Sequence, residues 1–492
     1  MPAGVDGMAG EQAGAPRARE IAALIACLAA GIALNLRAIG GEAAWCDEAL
    51  TAACHPADSL AAYLACAFER DPTIRLAPLY HLVQYNWSAL FGGSLLSLRA
   101  LSVTLSALAM LQLYAFARQI ASPAVARLAI LIASASVFQV YFAQEVRVYA
   151  LLNLVALCAM AAFRAAARGG SGRALAWNAL LNAMLLLTHS FAVLLVATQG
   201  ILIALGLAPR RRALRWLGVH LLLGAAYPFW LWAIGYDFGG QTLAYNDRPA
   251  GMPELGVAAL QFAGGRFSKW NPAPGLPGGI NLEWVLLALA GALVAWGLWA
   301  RSRRPDAWIL LAWMVLPVLL LFAAAYVWRP CFFPRYVLFC AAPLALMLAL
   351  ALCAIPRAAL RRVALAALLG LMLWQNLAFQ RPFRPDYTAA ARIVEAQTSD
   401  HAVVLAMKPF NYIAAEYAFR NAPVTVERHY GMRETVAAAI AHARAGTAVW
   451  AVFHQWDDPG AFEDPVAGAG LIARRTTLGG APPLDLYEIR RP

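Results

Sequence analysis

The chain has 492 residues, of which 62% are hydrophobic and only 13% are charged, and its mean hydropathy is +0.60. This composition excludes a soluble globular protein and indicates a polytopic α-helical membrane protein. The formal net charge is +12, but the basic residues lie between apolar segments instead of forming one patch. That spacing indicates membrane topology, and no nucleic-acid partner is expected.

The N-terminal region predicts a short tail followed by the first membrane span. Residues 1–19 are polar and carry Arg17 and Arg19, and an apolar stretch long enough to cross a bilayer follows near 21–40. The end of this stretch does not resemble a small-residue cleavage site, which favours an uncleaved helix over a signal peptide. Because arginine-rich loops stay on the cytoplasmic side, the tail and five later arginine clusters are predicted to be cytoplasmic.

Working outward from those clusters predicts about 11 spans. They lie near 21–40, 95–117, 123–142, 147–167, 174–188, 190–208, 216–236, 283–300, 306–328, 336–355 and 363–380. The region 174–208 is also open to interpretation as two short helices that break near His189. If the apolar stretch 77–92 were a span, Arg118 and Arg127 would lie on the outer side of the membrane. Its aromatic and amphipathic residues instead predict a juxtamembrane or re-entrant helix.

The predicted first outer loop, 41–94, carries an acidic pair, Asp47 and Glu48, just beyond the first span. Ionised carboxylates are costly to bury in hydrocarbon, so the pair is expected at the membrane surface. It is either the start of a solvated loop or a catalytic base beside a lipid-borne substrate. Other ionisable residues collect on the same predicted side, namely His55, Asp58, Glu69, Asp71, Arg75, Glu145, Arg147, His189, Arg266, Lys269 and Arg335.

The cysteines are too dispersed along the chain to form a zinc motif. Cys46, Cys54 and Cys66 fall in the first loop, on the predicted oxidising side of the membrane. Two alternatives remain for them, one disulfide within the loop or free buried thiols.

After Phe379 the chain loses its apolar character, and 381–385 is a predicted linker. Residues 381–492 are predicted to form a small soluble α/β domain with a partly parallel sheet, outside the membrane. Its predicted helices lie at 387–397, 411–420 and 433–444, and its predicted strands at 402–406, 423–427, 447–453 and 484–489. The chain thus divides into a tail (1–19), a transmembrane catalytic domain (20–380) and the C-terminal domain (381–492).

Several short patterns of the membrane part occur in an order that resembles one enzyme superfamily. They are Asp47-Glu48, the Ala-Pro-Leu-Tyr stretch that ends at Tyr80, the turn from Gly92 to Arg99, Gln144-Glu-Val-Arg-Val-Tyr149, Thr188-His189 and Arg335-Tyr336. Over about 15–380 the chain resembles the GT-C glycosyltransferases, in particular the bacterial branch related to protein O-mannosyltransferases and lipid A aminoarabinose transferases. The resemblance implies a GT-C membrane fold with a small C-terminal α/β domain. It also implies inverting transfer of a sugar from a polyprenyl-phosphate donor to a lipid, glycan or protein acceptor at the outer face of the bacterial inner membrane. The scarcity of lysine beside abundant arginine and alanine favours an undecaprenyl-phosphate type donor.

The resemblance implies roles for individual residues. Asp47 would be the general base that takes the proton of the acceptor hydroxyl, with Glu48 and Glu145 assisting. The cations that would hold the donor phosphate are Arg147, Arg335, Arg75 and Lys269. The further substrate-binding candidates are Tyr80, His81, Tyr149, His189 and Tyr336. Structural roles are the alternatives, such as an ion pair between Arg147 and an acid, or an Arg335 that extends to the membrane surface.

Two further questions stay open at this stage. Some GT-C enzymes use a divalent cation (Mg, Mn or Zn) and others do not, and its ligands here would be Asp47, Glu48 and Glu145. The alternative function is a transporter or a flippase for lipid-linked sugars, whose polar residues would line a path through the bilayer. The sequence shows no clear internal repeat, and its polar groups collect at one predicted face, which favours the transferase.

Overall fold

The computed structural model describes residues 8–37, 39–169, 171–235, 250–266, 281–327, 330–378, 384–398, 401–454, 458–480 and 483–492. The chain divides into two compact units. The first, here called the membrane unit, comprises Met1–Arg37, Thr73–Gln84 and Arg99–Ala378. The second, here called the loop–domain unit, comprises Ala38–Pro72, Tyr85–Leu98 and Phe379–Pro492.

The described residues up to Ala378 are mainly helical, as their apolar composition predicts. The α-helices are α1 (Met8–Leu36), α2 (Cys46–Ala52), α3 (Leu60–Arg70), α4 (Leu79–Phe91), α5 (Leu95–Arg118), α6 (Pro123–Ala135), α7 (Val137–Ala143), α8 (Tyr149–Arg168), α9 (Gly172–Leu186), α10 (Val193–Ala204), α11 (Arg210–Ala233), α12 (Met252–Phe262), α13 (Leu282–Arg301), α14 (Pro305–Val327), α15 (Ala341–Ala354) and α16 (Ala358–Ala378). Short 3-10 helices lie at Pro72–Leu76, Ser190–Ala192 and Pro334–Cys340.

Within the described residues, eight helices are long and apolar enough to cross a membrane, and a ninth span results if α6 and α7 count as one. The eight are Arg17–Leu36, Leu95–Arg118, Tyr149–Arg168, Arg210–Ala233, Leu282–Arg301, Pro305–Val327, Pro334–Ala354 and Ala358–Ala378. The protein is therefore a multi-pass membrane protein. The described residues do not confirm the predicted number of about 11, because α6 and α7 are bent by 74° and because α9 and α10 have only 15 and 12 residues.

Both departures occur where polar side chains end a helix. Ser136 separates α6 from α7, and its hydroxyl accepts a hydrogen bond from the Gln139 amide at 3.5 Å. His189 separates α9 from α10, and its Nδ1 accepts a hydrogen bond from the Phe191 amide at 3.2 Å. The two-short-helix interpretation of 174–208 is thereby confirmed. The predicted juxtamembrane helix near 77–92 corresponds to α4, whose 13 residues are too few to span a bilayer.

Helices of the membrane unit approach each other closely at small residues. A Cβ at Gly31 of α1 would lie 2.7 Å from Met110 Sδ and 3.1 Å from Ser134 Cβ of α6. A Cβ at Gly297 of α13 would lie 3.0 Å from the Ala351 Cβ of α15. Small residues permit such contacts between membrane helices, where packing takes the place of the hydrophobic effect.

A buried polar network joins α9, α10 and α11. Asn182 Nδ2 donates to Gln199 Oε1 at 2.8 Å and lies 2.9 Å from His220 Nε2. Asn178 Nδ2 also donates to Gln199, and Asn178 Oδ1 accepts from Trp216 Nε1 at 2.8 Å. Because these polar side chains bond to one another, they stabilise the packing of the helices.

The C-terminal part of the loop–domain unit is an α/β structure. Its helices are α17 (Tyr387–Gln397), α18 (Lys408–Phe419), α19 (Met432–Ala445) and α20 (Gly460–Gly468), and its strands are β1 (Ala402–Met407), β2 (Val424–His429), β3 (Ala448–His454), β4 (Ile472–Leu478) and β5 (Leu484–Arg490). The sheet order is β2-β1-β3-β5-β4; β1 is parallel to β2 and β3, and β5 is antiparallel to β3 and β4. The predicted partly parallel α/β architecture is confirmed.

Both faces of this sheet are covered by helices. Side chains of β1 alternate between an apolar core with α17 and α18, through Val404, and one with α19 and α20, through Leu405. The sequence prediction missed α20 and β4. The reason for β4 is that this edge strand exposes Arg474, Arg475 and its threonines, so the apolar alternation that marks a half-buried strand is absent.

Parts of the first loop belong to the same compact unit as the C-terminal domain. Residues 38–72 and 85–98 join 379–492, whereas the sequence-based division placed all of 41–94 with the membrane part. Helix α2 packs on α18, and Arg70 of α3 forms an ion pair with Glu416 of α18 at 2.8 Å. A disulfide joins Cys54 to Cys66 between α2 and α3, and Cys46 takes no part in it. The loop disulfide left open by the sequence is therefore present, with this pairing.

Candidate active site

Asp47 and Glu48 lie together in the first turn of α2, but their surroundings differ. The Asp47 side chain is half-buried, and its backbone oxygen accepts a hydrogen bond from Thr51 Oγ1 at 3.2 Å. Glu48 is fully buried, as are its neighbours Ala49 and Ala52. Because successive helical residues point about 100° apart, Glu48 faces the interior of the loop–domain unit while Asp47 remains partly accessible.

Glu48 is held by Arg384, which lies directly before the C-terminal α/β domain. Arg384 Nη1 donates a hydrogen bond to Glu48 Oε2, and the Arg384 Nε lies 3.7 Å from Glu42 Oε2. The Arg384 guanidinium also lies 5.9 Å from the ring centroid of Trp45. With only 7% of the arginine side chain and 0% of the Glu48 side chain exposed, this is a buried ion pair.

In the membrane unit, Glu145 and Arg147 lie in the short turn between α7 and α8. Gln144 Nε2 donates to the backbone oxygens of Asn35 and Arg37, at 2.9 and 2.7 Å, which fixes the turn to the end of α1. Glu145 is fully buried, and its backbone oxygen accepts a hydrogen bond from Ser102 Oγ at 2.6 Å. The turn is therefore anchored from two sides, and Arg147 extends from an ordered backbone.

His189, Tyr336 and Arg335 form an arginine–aromatic cluster with Arg147 and Tyr149 in the membrane unit. The His189 ring centroid lies 5.0 Å from that of Tyr336 and 6.1 Å from that of Tyr149. The Arg335 guanidinium lies 4.8 Å from the Phe333 ring centroid, and Phe191 stacks on Tyr336 at 4.9 Å. Tyr149 interacts electrostatically with Arg335, Tyr336, Arg147 and Glu145. Five of the sequence-predicted residues thus meet, from segments distant in the chain.

Two arginines bring positive charge to this cluster, and the buried Glu145 carboxylate lies near them. Burial, followed by the positive charges of Arg147 and Arg335, lowers the pKa of His189 from 6.5 to about 3. His189 is therefore neutral at ordinary pH, and its Nδ1 can accept the hydrogen bond from Phe191. The positive charge comes from the two arginines, which remain protonated in proteins. A cluster with two guanidinium groups and aromatic walls can bind a phosphate and pack against an apolar or sugar-ring surface.

The remaining predicted residues lie elsewhere. In the membrane unit, Tyr80 and His81 are buried neighbours on α4 with ring centroids 5.5 Å apart, and Arg75 is exposed on the preceding 3-10 helix. Lys269 lies outside the described residues. Arg266, one of the ionisable residues predicted on the outer side, forms an ion pair with the buried Glu283, with Nε to Oε2 at 2.9 Å.

Comparison with solved structures identifies the fold. No protein-family model and no curated protein sequence matches the chain. The crystal structure of ArnT from Cupriavidus metallidurans bound to undecaprenyl phosphate matches with a TM-score of 0.56 and 11% identity, covering 94% of this chain and 97% of that chain. The oligosaccharyltransferase of Archaeoglobus fulgidus in complex with Zn and sulfate matches with a TM-score of 0.53 and 11% identity. The match covers 90% of this chain and 69% of that chain. The archaeal oligosaccharyltransferase AglB from the same organism, in complex with an inhibitory peptide and a dolichol-phosphate, matches with a TM-score of 0.51 and 10% identity. That match covers 89% of this chain and 69% of that chain.

ArnT and AglB are both members of the GT-C superfamily. The chain has the GT-C fold. The GT-C resemblance predicted from short patterns is confirmed at the level of the fold, even though the identities are only 10 to 12%.

Asp47, Glu48 and Glu145 are the residues that the sequence predicts as ligands of a divalent cation. Among the described residues, no group of three or more His, Cys, Asp or Glu side chains could hold a metal ion. Glu48 already forms a buried ion pair with Arg384, and a bound arginine competes with a cation for the same oxygens. Asp47, Glu48 and Glu145 therefore stay a prediction as metal ligands, and no step below depends on a metal ion.

Sequence reasoning missed Arg384, Phe191 and Phe333. Arg384 stood in the predicted linker, where an arginine between two prolines looks like an exposed spacer residue. A usable signal was the charge balance of the first loop, whose buried Glu48 needs a positive partner. The two phenylalanines adjoin the predicted His189 and Arg335, but aromatic residues are common throughout GT-C and other membrane chains and carry no specific signal.

Proposed function

We propose that this protein is a membrane-bound glycosyltransferase that moves a sugar from an undecaprenyl-phosphate type donor to a cell-envelope acceptor, with inversion at the anomeric carbon. The observation that carries the proposal is the arginine–aromatic cluster of the membrane unit, in a chain with the GT-C fold. Arginine pairs bind phosphate oxygens through several donors at once. The structures of ArnT with undecaprenyl phosphate and of AglB with a dolichol-phosphate support this donor class.

In the proposed reaction, Asp47 accepts the proton of the acceptor hydroxyl as the hydroxyl oxygen attacks the anomeric carbon. The bond from that carbon to the carrier phosphate oxygen breaks, and its electron pair remains on the phosphate. Arg147 and Arg335 stabilise the negative charge of this leaving group. The products are the glycosylated acceptor and the polyprenyl phosphate.

Other predicted residues take supporting roles in this proposal. Glu48 acts through its position in α2, because its carboxylate already forms an ion pair with Arg384. Glu145 maintains the turn that carries Arg147. Substrate contacts are proposed for Tyr149, His189, Tyr336, Tyr80 and His81, with Arg75 and Lys269 as further phosphate ligands. The proposed location is the bacterial inner membrane, with the N-terminus cytoplasmic and the C-terminal domain outside.

The first experiment is mass spectrometry of envelope lipids, glycans and proteins from cells that carry wild-type protein, Asp47→Asn protein or no protein. A sugar-sized mass increment that requires both the protein and Asp47 supports the proposal. The matched control is Asp58→Asn, which removes an exposed carboxylate of the same loop and is expected to retain transfer. If no glycan changed while a lipid-linked precursor redistributed between leaflets, and Asp47 proved dispensable, the protein would be a flippase instead.

The donor side is tested separately with Arg335→Ala. Loss of one of the two phosphate-binding cations should raise the apparent KM for the polyprenyl-phosphate donor by about 10-fold or more, corresponding to one charged hydrogen bond. Arg303→Ala, an exposed arginine in another loop, is the control and should leave KM unchanged. A fall in thermal stability without any change in KM would assign Arg335 to helix anchoring.

A further inference from the structure

Arg384, which forms the ion pair with Glu48, lies far from it in the sequence. Arg384 is 336 residues from Glu48 and stands immediately before α17 of the C-terminal domain. Both residues lie in the loop–domain unit, so their pairing describes how that unit is held together. A buried arginine with two carboxylates within ion-pair distance is costly to remove from water, and such an arrangement persists only where its geometry is closely satisfied.

The backbone around Arg384 is itself fixed to the α/β domain. The Asp386 amide donates a hydrogen bond to the Gly479 oxygen at 3.3 Å, and Asp386 Oδ1 accepts from the Ala389 amide at 2.8 Å to cap α17. A Cβ at Gly480 would lie only 2.9 Å from the Arg384 carbonyl carbon, and Gly480 has a φ of +121°. The loop after β4 therefore contacts the Arg384 backbone directly, and glycine is required there.

The partners of Arg384 surround Asp47 in the sequence. Glu42, Trp45 and Glu48 all lie within five residues of Asp47, and two of them belong to α2 or its N-cap. Helix α2 has only seven residues. Helices this short do not hold their conformation without tertiary contacts. The orientation of the Asp47 carboxylate therefore depends on the contacts that fix Trp45 and Glu48.

We propose that Arg384 is a positioning residue, through which the C-terminal domain sets the orientation of α2 and hence of Asp47. This inference rests on the proposed function, in which Asp47 accepts the acceptor proton. Arg384 acts through Glu48, Glu42 and Trp45, and it is not assigned a contact with substrate. The C-terminal domain is then a structural part of the catalytic apparatus.

The test compares Arg384→Lys with Arg70→Lys in the purified full-length protein. A lysine keeps the charge, but it lacks the planar fork that reaches two carboxylates and an indole ring at once. Arg70 offers a matched control, because it also joins the first loop to the C-terminal domain, through Glu416, but from α3. Two readouts are made on each variant, steady-state kinetics with a polyprenyl-phosphate sugar donor and hydrogen–deuterium exchange of the backbone amides of 45–52.

Arg384→Lys is expected to lower kcat by about 10- to 100-fold, because a displacement of about 1 Å costs that much in a catalytic group. The KM for the donor should stay unchanged, and exchange should become faster at 45–52 while the α/β sheet stays protected. Arg70→Lys should leave kcat and the exchange of 45–52 at wild-type values. The double variant Arg384→Gln with Glu48→Gln, which removes both charges of the pair, should lose no more kcat than Arg384→Gln alone.

Three results would overturn the inference. Wild-type kcat and exchange in Arg384→Lys would show that α2 does not depend on this arginine. A raised donor KM with unchanged exchange at 45–52 would make Arg384 a substrate ligand. Faster exchange throughout the unit would make it a general stability residue. If the wild-type protein transferred no sugar, the proposed function would fail, and the exchange experiment would still decide whether Arg384 orders α2.

Discussion

At the scale of single residues, the adjacent carboxylates of Asp47 and Glu48 lie in different surroundings. Asp47 is half-buried, whereas Glu48 is completely buried and forms an ion pair with Arg384. A carboxylate held by a buried arginine cannot readily accept a proton, because protonation would leave the arginine charge uncompensated. The proposal therefore assigns the proton transfer to the partly accessible Asp47 and not to Glu48.

His189 offers a residue-scale prediction of pH dependence. Its pKa of about 3 in the folded protein lies below the usual 6.5, first because of burial and then because of Arg147 and Arg335. A histidine with a lowered pKa contributes stability above pH 6.5 that is lost as the pH falls towards 3, since the unfolded chain then binds the proton more strongly. We expect wild-type protein to lose about 2 kcal/mol more stability between pH 7 and pH 5 than His189→Gln protein.

The measurement is thermal unfolding of both proteins in the same detergent at a series of pH values. Glutamine does not titrate in this range, and its side-chain oxygen can still accept the hydrogen bond that Phe191 donates to His189. The same pH dependence in both proteins would show that His189 is protonated as easily in the folded chain as in the unfolded one.

At the scale of elements, the membrane unit depends on close helix contacts at small residues. A Cβ at Gly31 would meet Met110 and Ser134, whereas a Cβ at Gly224 of α11 would have no atom within 4 Å. Alanine is the better helix former by about 1 kcal/mol, so Gly224→Ala should be neutral or stabilising. Gly31→Ala should instead destabilise the protein by about 1–3 kcal/mol through overpacking.

These two glycine variants form a matched pair because both introduce one methyl group into a predicted span. Their thermal unfolding temperatures in detergent are the quantities to compare. Equal temperatures for Gly31→Ala and Gly224→Ala would mean that α1 and α6 adjust without cost, and the close packing at Gly31 would then have no energetic role.

The disulfide between α2 and α3 gives a second prediction at this scale. Cys54 and Cys66 are 12 residues apart in sequence, and closing a loop of this length restricts the unfolded chain. Replacing both with serine should lower the free energy of unfolding by about 3 kcal/mol. Alkylation and mass spectrometry before and after reduction should show this pair oxidised in wild-type protein, and a pairing that included Cys46 would contradict the structure.

At the scale of the whole molecule, parts of the first loop form one unit with the C-terminal domain, although they are far apart in the sequence. Helices α2 and α3 both contact this domain, through Arg384 and through Glu416. A chain that ends after Ala378 loses both partners. We expect this truncated protein to insert into membranes but to lose transfer.

Limited proteolysis of membranes from both strains measures the effect of this truncation. Faster cleavage within 43–72 in the truncated protein is expected, because α2 and α3 lose the contacts that bury them. An unchanged cleavage rate in this loop, with transfer retained, would show that the C-terminal domain is dispensable for its order.

Much of the fold was predictable because its signals are local. Apolar length identified the membrane helices, and the changing periodicity after Phe379 identified α17, β1 and β3 to within one or two residues. The bend between α6 and α7 was not predictable, because a serine inside an apolar run does not reveal whether it caps a new helix or continues the old one. Arg147, His189 and Arg335 were each named from the sequence and lie near one another in the membrane unit, whereas their roles stay predictions.

The sequence by itself therefore determined that this is a multi-pass membrane protein with a C-terminal α/β domain, because composition and periodicity are properties of neighbouring residues. Only the tertiary structure decided which distant residues meet. In it, the ring of His189 lies near that of Tyr336, and Cys54 forms a disulfide with Cys66. Arg384 forms an ion pair with Glu48, from which it is 336 residues away in sequence. Such pairings follow from the path of the folded chain, since a buried charge needs a partner but its own sequence does not specify which one.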